Sequence, residues 1–227
     1  MKYSAVIFDL IGTLAQNFSA REFERLLHEM AAAVCAPAGE FARRWVASFD
    51  DRNKGRWPTL EANIEHICST MRVKSDPARL AQAARLMLDF RRRTLIPRPD
   101  GLETLNQLKA LGCKTGLISD CSPEVPVVWR ETPLAALIDA PIFSCLVGLK
   151  KPDPRIYRLA CERLGVKPQH CLYVGDGDSH ELTGAAQVGM HAIMLRAPHD
   201  DPYRHDPEDW QGPCISALKD VLTLVQG

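Results

Sequence analysis

Apolar and polar positions follow two different rhythms along this chain. Tyr3-Ser4-Ala5-Val6-Ile7-Phe8 is a short, mostly apolar run that predicts a buried strand, stopping at Asp9. From about Ser19 to Arg93 the period becomes helical. Ser19 with Glu22 three residues on forms a capping box, and Phe23, Leu26, Leu27, Met30 and Val34 recur on one face. Phe41, Trp45 and Phe49 keep the same spacing in a second segment. Thr59 predicts the cap of a third helix carrying Leu60, Ile64, Ile67, Cys68 and Met71, and Asp76-Pro77 opens a fourth.

After Pro97 short apolar runs alternate with helical stretches. Asp100 predicts a cap for a helix through Leu111, closed by Gly112. Strands are expected over Thr115–Ser119, Ile142–Val147, Cys171–Val174 and His191–Leu195. Helices are expected from about Pro154 to Leu164, closed by Gly165, and from the fourth strand region to Gly189. This pattern predicts an α/β fold, a doubly wound parallel sheet covered on both faces. The helical block interrupts a strand-first pattern, so it reads as an insertion. The expected domains are a core of residues 1–14 and 95–227 and a small helical cap of residues 15–94.

Composition narrows the picture by exclusion. The chain has 227 residues, 46% apolar and 25% charged, with 28 basic residues against 28 acidic ones. A net charge of zero gives no reason to expect nucleic acid or an anionic membrane as the main partner. No apolar run approaches the ~18 residues of a membrane span, and the first residues lack the features of a secretory signal. The eight cysteines include no C-x-x-C pair, and several fall in apolar runs as reduced side chains would. The expected setting is cytoplasmic, with a small molecule as partner and the chain a monomer or homodimer.

Candidate chemistry collects at the predicted strand ends, where ligands of such sheets bind. Asp9 opens Asp9-Leu10-Ile11-Gly12-Thr13, Ser119 and Asp120 end the next strand, and Lys151 stands in Lys150-Lys151-Pro152-Asp153-Pro154. Asp176 opens a turn containing Asp178, His180 and Glu181. A carboxylate at Asp9 can attack phosphorus. Mg²⁺ prefers one or two carboxylates plus water and substrate oxygens, which Asp9 and Asp176 can supply. Lys151 can neutralise nucleophile and phosphoryl group together, while the Ser119 hydroxyl and the amides around Gly12 and Thr13 can hold phosphate oxygens. Asp120 is read as orienting substrate or capping its turn, His180 as a surface residue at a helix start, and Tyr157 as packing.

The order and spacing of Asp9-x-x-Gly12-Thr13, Ser119, Lys151-Pro152 and Gly175-Asp176 with Glu181 resemble the four motifs of the haloacid dehalogenase superfamily. The resemblance covers essentially the whole chain, and the helical block looks like that family's C1 cap. It implies Asp9 as nucleophile and Mg²⁺ ligand, with the main-chain carbonyl of Ile11 facing the metal. It implies Ser119 and Lys151 at the phosphoryl group, Asp176 on Mg²⁺, and Glu181 acting on the metal through water.

One position departs from the family's phosphatases. They carry a second Asp two residues after the nucleophile, as acid and then base; here that residue is Ile11, which can do neither. General acid–base catalysis is worth about 10²–10⁴-fold. The expectation is a Mg²⁺-dependent phosphohydrolase for a small phosphorylated metabolite, slow on alkyl esters. The alternatives are a metal-independent 2-haloacid dehalogenase and a non-catalytic phosphometabolite-binding protein. In the cap, Arg52-Asn53-Lys54-Gly55-Arg56 is expected to be a flexible loop, either merely solvated or selecting anions through Arg52.

Overall fold

The computed structural model describes residues 2–197 and 206–227. Strand β1 (Ala5–Phe8) is buried along its whole length, as a continuous apolar run at the centre of a sheet must be. It is followed by α1 (Ala20–Ala33), α2 (Ala38–Ala47), α3 (Phe49–Asn53), α4 (Leu60–Thr70) and α5 (Pro77–Thr94). The remainder alternates: α6 (Gly101–Ala110), β2 (Lys114–Ser119), α7 (Glu124–Trp129), β3 (Ala140–Phe143), α8 (Ser144–Val147), α9 (Pro154–Leu164), β4 (Cys171–Gly175), α10 (Glu181–Gln187), β5 (His191–Leu195), β6 (Cys214–Ile215) and α11 (Asp220–Gln226).

The six strands lie in the order β3-β2-β1-β4-β5-β6, and every neighbouring pair is parallel. This is a Rossmann-like doubly wound sheet. The order in which strands are added reverses beside β1, so the carboxyl ends of β1, β2 and β4 flank one crevice. One apolar cluster on the sheet holds Phe8, Leu105, Leu117, Trp129, Leu172 and Val221. A second holds Ile7, Ile118, Ile156, Tyr157, Tyr173 and Met194. Alternate residues of β1 enter opposite clusters, the period-two signature of a sheet covered on both faces.

Helices α1 to α5 pack around a third cluster of their own, containing Met30, Phe41, Trp45, Ile64, Ile67 and Met87. Ser19, Thr59 and Asp76 cap α1, α4 and α5, accepting from the amides of Glu22, Ala62 and Arg79. Gly165 closes α9 in the left-handed conformation, φ 62°.

Three local expectations are corrected. The apolar run 142–147 is not one strand: it crosses from β3 into α8. Asp100 does not cap α6 with its side chain; its Oδ2 instead accepts from the Lys219 amide beside α11. Arg52 and Asn53 do not belong to a loop: they complete α3 and are buried, and only residues 54–56 turn away from the helix.

Candidate active site

Asp9 emerges from β1, and its amide donates to the Val174 carbonyl of β4 at 2.9 Å, fixing the start of the turn between the two central strands. The turn reverses tightly. Gly12 takes φ 91°, and a Cβ there would strike the Asp176 carboxylate, so glycine lets the first and fourth motifs meet. The Gly12 amide donates to Ala15 O at 2.9 Å and the Thr13 amide to Leu10 O at 3.3 Å. Both amides therefore close the turn. The carbonyls of the same residues are held by Arg98, whose Nη2 donates to Gly12 O at 2.6 Å and Nε to Thr13 O at 2.7 Å.

Lys151 is buried at the centre of the site. Its Nζ donates to Asp9 Oδ1 at 2.6 Å and to Glu181 Oε2 at 2.5 Å. Its backbone amide donates to Asp120 Oδ1 at 3.0 Å, so Asp120 ties the loop after β2 to the loop bearing the lysine. Lys150 points away and pairs with Asp50 of α3 at 2.6 Å. Of the two adjacent lysines, Lys151 is therefore the one that faces inward.

Asp9, Asp176 and Glu181 are all buried, and one oxygen from each lies within 4.8 Å of the others. Burial raises the Asp9 carboxyl to about 7, with Lys151 pulling it back down. Burial likewise raises Glu181 to about 7, opposed chiefly by the same ammonium. Lys151 in turn is held well above its ordinary range by the two carboxylates, which outweigh its own desolvation. This is a charge-rich pocket in which one cation serves two anions and Asp176 adds a third.

The donor set fits a hard cation: carboxylate oxygens only, with Asp9 Oδ2 buried and without a hydrogen-bond partner. Glu181 is otherwise engaged. Its Oε1 accepts from the Gly177 amide at 3.0 Å and its Oε2 from both Lys151 and the Tyr173 hydroxyl. A Cβ on Gly175 would collide with this carboxylate, so the glycine before Asp176 makes room for it.

The turn after β4 is held in unusual backbone conformations: Gly177, Ser179 and His180 have φ 86°, 57° and 51°. Positive φ at two consecutive non-glycine residues costs energy that the surroundings must offset. Here Glu208 does much of that. Its carboxylate accepts from the amides of Leu182 and Thr183 at 2.7 and 3.0 Å, and its own amide donates to Gly177 O. His180 is the half-exposed first residue before α10, pairing with Asp206 at 3.5 Å. The Tyr157 hydroxyl donates to the Glu181 carbonyl at 2.9 Å, so that side chain both packs and fixes α10.

Neither Arg98 nor Glu208 was indicated by the sequence, because each acts across a large chain separation on backbone groups that carry no motif. Ser119 ends β2 buried beside Asp120 and Cys121.

A cavity of about 140 Å³ opens over these groups. Asp9, Ile11, Ser119, Asp120, Lys151 and Asp176 line its sheet side. Phe18, Phe23, Trp45, Val46, Phe49, Arg52, Asn53 and Arg91 line its helical side. Ile11 thus presents a hydrocarbon where acid–base chemistry would place a carboxyl. Arg52 does reach the cavity, but from a fixed position: Nη1 donates to Trp45 O and to Ser48 Oγ, and the guanidinium lies 4.2 Å from the Trp45 ring centroid.

Among the described residues no helix is long and apolar enough to cross a membrane. The model of the haloacid dehalogenase-like hydrolases matches residues 3–189. The chain is 27% identical to (S)-2-haloacid dehalogenase 4A of Burkholderia cepacia, over 96% of this chain and 94% of that protein. It is 32% identical to glyceraldehyde 3-phosphate phosphatase of Methanopyrus kandleri over 68% of each. Six further curated relatives match over only 38% to 58% of their own length. The fold is similar to the crystal structure of a phosphatase from Thermococcus onnurineus, with a TM-score of 0.68, 22% identity, and 99% and 98% of the two chains covered. A matched model over most of the chain, the parallel sheet and the strand-end site agree: the chain belongs to the haloacid dehalogenase-like hydrolases.

Proposed function

We propose that this hydrolase is a Mg²⁺-dependent phosphohydrolase in which Asp9 attacks a small phosphorylated metabolite and carries the phosphoryl group as an aspartyl-phosphate. The observation that carries this reading is the buried carboxylate cluster of Asp9, Asp176 and Glu181, more acidic than Lys151 alone can balance. Asp9 and Asp176, with the Ile11 carbonyl, would hold Mg²⁺ directly. Glu181, whose two oxygens already accept three hydrogen bonds, would act through water. When bound, the ion supplies positive charge against the phosphoryl oxygens.

The chain's own residues divide the remaining work. Lys151 favours the ionised form of Asp9 against its desolvation and meets the incoming charge, and Ser119 offers a hydroxyl at the end of β2. Ile11 neither protonates the leaving group nor activates water. Good leaving groups, such as acyl, aryl or anhydride phosphates, evade the first deficit but not the second.

Acetyl phosphate and p-nitrophenyl phosphate with Mg²⁺ are the test, beside Asp9→Asn. Turnover, or a burst followed by slow turnover, that vanishes in the variant is the expected result. Activity surviving Asp9→Asn would sink the proposal. In the same assay Ile11→Asp is expected to raise kcat on alkyl esters about 10²-fold or more, by restoring the missing acid and base.

A second reading is favoured by Ile11 together with the apolar lining of the cavity: Asp9 displaces halide from a 2-haloacid without metal. Halide release insensitive to EDTA, with no phosphate release, would establish it instead.

A further inference from the structure

Among the described residues, two pairs of cysteines bring their sulfurs together. Cys161 and Cys171 do so at 3.7 Å, but both are buried in the second sheet cluster, 4% and 0% exposed, shielded from any oxidant in water. Cys121 and Cys145 do so at 4.0 Å and are placed differently. Cys121 is buried but lines the cavity, in the loop that carries Asp120. Cys145 is half-buried, in the first turn of α8.

The backbone, and not a chance side-chain orientation, brings this second pair close. Strands β2 and β3 are parallel neighbours with Ser119 opposite Phe143, so Cys121 and Cys145 each lie two residues beyond the same ladder pair. Neighbouring strands stand roughly 4.8 Å apart, inside the about 4.4–6.8 Å that the Cα atoms of a disulfide span. Beyond the ladder Ser144 keeps the two segments together. Its Oγ accepts from the Cys121 amide at 2.9 Å and donates to the Cys121 carbonyl at 3.4 Å. Bonding requires only that the sulfurs close from 4.0 Å to about 2 Å. Burial holds the Cys121 thiol well above its ordinary range, so the more accessible Cys145 meets an oxidant first.

We propose that Cys121 and Cys145 are a modification site, forming a reversible disulfide that shuts the neighbouring site when hydrogen peroxide is present. The Cys145 sulfur attacks one peroxide oxygen and the O–O bond breaks. The sulfur becomes a sulfenic acid, and the other oxygen leaves as water with the thiol proton. The Cys121 sulfur then displaces the hydroxyl from the Cys145 sulfur, forming the S–S bond, and its proton departs with that hydroxyl as a second water. Two electrons pass from the two thiols to one peroxide, and a dithiol returns them by exchange.

The bond acts on the site through what its two ends hold. Helix α8 is backed by the helical unit, since a Cβ on Gly55 would strike the Cys145 carbonyl. The movement therefore falls on the loop of Cys121. Asp120, its neighbour, accepts from the Lys151 amide at 3.0 Å, and Ser119 stands one residue earlier. Drawing Cys121 toward α8 displaces both from the cavity wall. The loss of turnover rests on the proposed function; the disulfide does not.

The full-length protein is treated with hydrogen peroxide, its free thiols are alkylated, and an unreduced tryptic digest is read by mass spectrometry. Trypsin leaves Cys121 in residues 115–130 and Cys145 in residues 131–150, each the sole cysteine of its peptide. A linked pair of these peptides is expected, abolished by dithiothreitol and formed roughly tenfold or more faster than a Cys161–Cys171 link. Cys145→Ala is expected to give no such link, and Cys121→Ser to leave Cys145 as a sulfenic acid that dimedone labels. Acetyl phosphate turnover is expected to fall about tenfold or more as the link forms, to return with dithiothreitol, and to survive peroxide in Cys145→Ala. Absence of the linked peptide, its formation only after a Cys161–Cys171 link, or turnover unchanged at full linkage would overturn the switch. A reduced protein without turnover would count against the proposed function alone, because the linked peptide is read without it.

Discussion

Asp9 and Glu181 show how strongly a single position can couple chemistry to stability. Their ordinary values near 3.8 and 4.5 rise to about 7 because both are stripped of water, despite the adjacent Lys151. Between about pH 4 and 7 the folded protein therefore holds protons that the unfolded chain releases. Their contribution to stability is complete below pH 4 and is lost as pH rises through 7. Lys151 is charged in both states across that window and adds no slope. Metal-free protein is thus expected to lose about 2 kcal/mol or more between pH 5 and 8, a fall of roughly 4–8 °C in Tm. Asp9→Asn should flatten the profile and melt above the unmodified protein at pH 8. A Tm that climbs from pH 5 to 8 in EDTA would contradict this account. Arg92 and Glu131 form a bidentate but exposed pair, and no comparable effect is expected there.

At the scale of elements, the turn after β4 depends on Glu208, 33 positions beyond Gly175, which ends the strand. Glu208 reaches back to cap α10 and to hold Gly177, in a turn with two left-handed non-glycine residues. Losing such a cap costs about 1–2 kcal/mol. Glu208→Ala should therefore lower Tm by roughly 2–8 °C, and Glu208→Gln by less, since one acceptor oxygen remains. Unchanged melting in both variants would show that the turn is held by its own sequence.

The same elements explain what was legible beforehand. The strands preceding Asp9, Ser119 and Asp176 were readable because short apolar runs stop abruptly at polar residues. Their convergence followed from parallel topology. The run 142–147 misled because an unbroken apolar stretch looks alike in a strand and in a buried helical turn. Arg98 and Glu208 were invisible because their partners are main-chain carbonyls and amides, which every residue possesses. Arg52 was singled out for its charge, but its burial against Trp45 depends on a helical turn too short to show a period.

At the scale of the molecule, apolar surface is partitioned unequally between two bodies of structure. The sheet clusters and the α1–α5 cluster share Leu88 as a partly buried contact, and among the described residues ion pairs also bridge them: Lys150 with Asp50, Arg91 with Glu124, Arg92 with Glu131. Polar bridges transmit little cooperativity compared with a continuous apolar core, so the helical unit should open on its own. Ile64 tests this, being fully buried within the helical cluster and remote from the sheet clusters. Ile64→Ala should cost the helical unit about 2–5 kcal/mol. Hydrogen exchange read by mass spectrometry would then show protection falling across residues 20–94. Protection in β1, β2 and β4 would stay near that of the unmodified protein. Equal loss in helices and strands would mean one cooperative unit, and the helical block would no longer qualify as a separable cap. Separate opening would instead place the Arg52–Asn53–Arg91 wall on a body free to move against the strand-end carboxylates. Substrate could then enter a cavity whose polar groups are buried at rest.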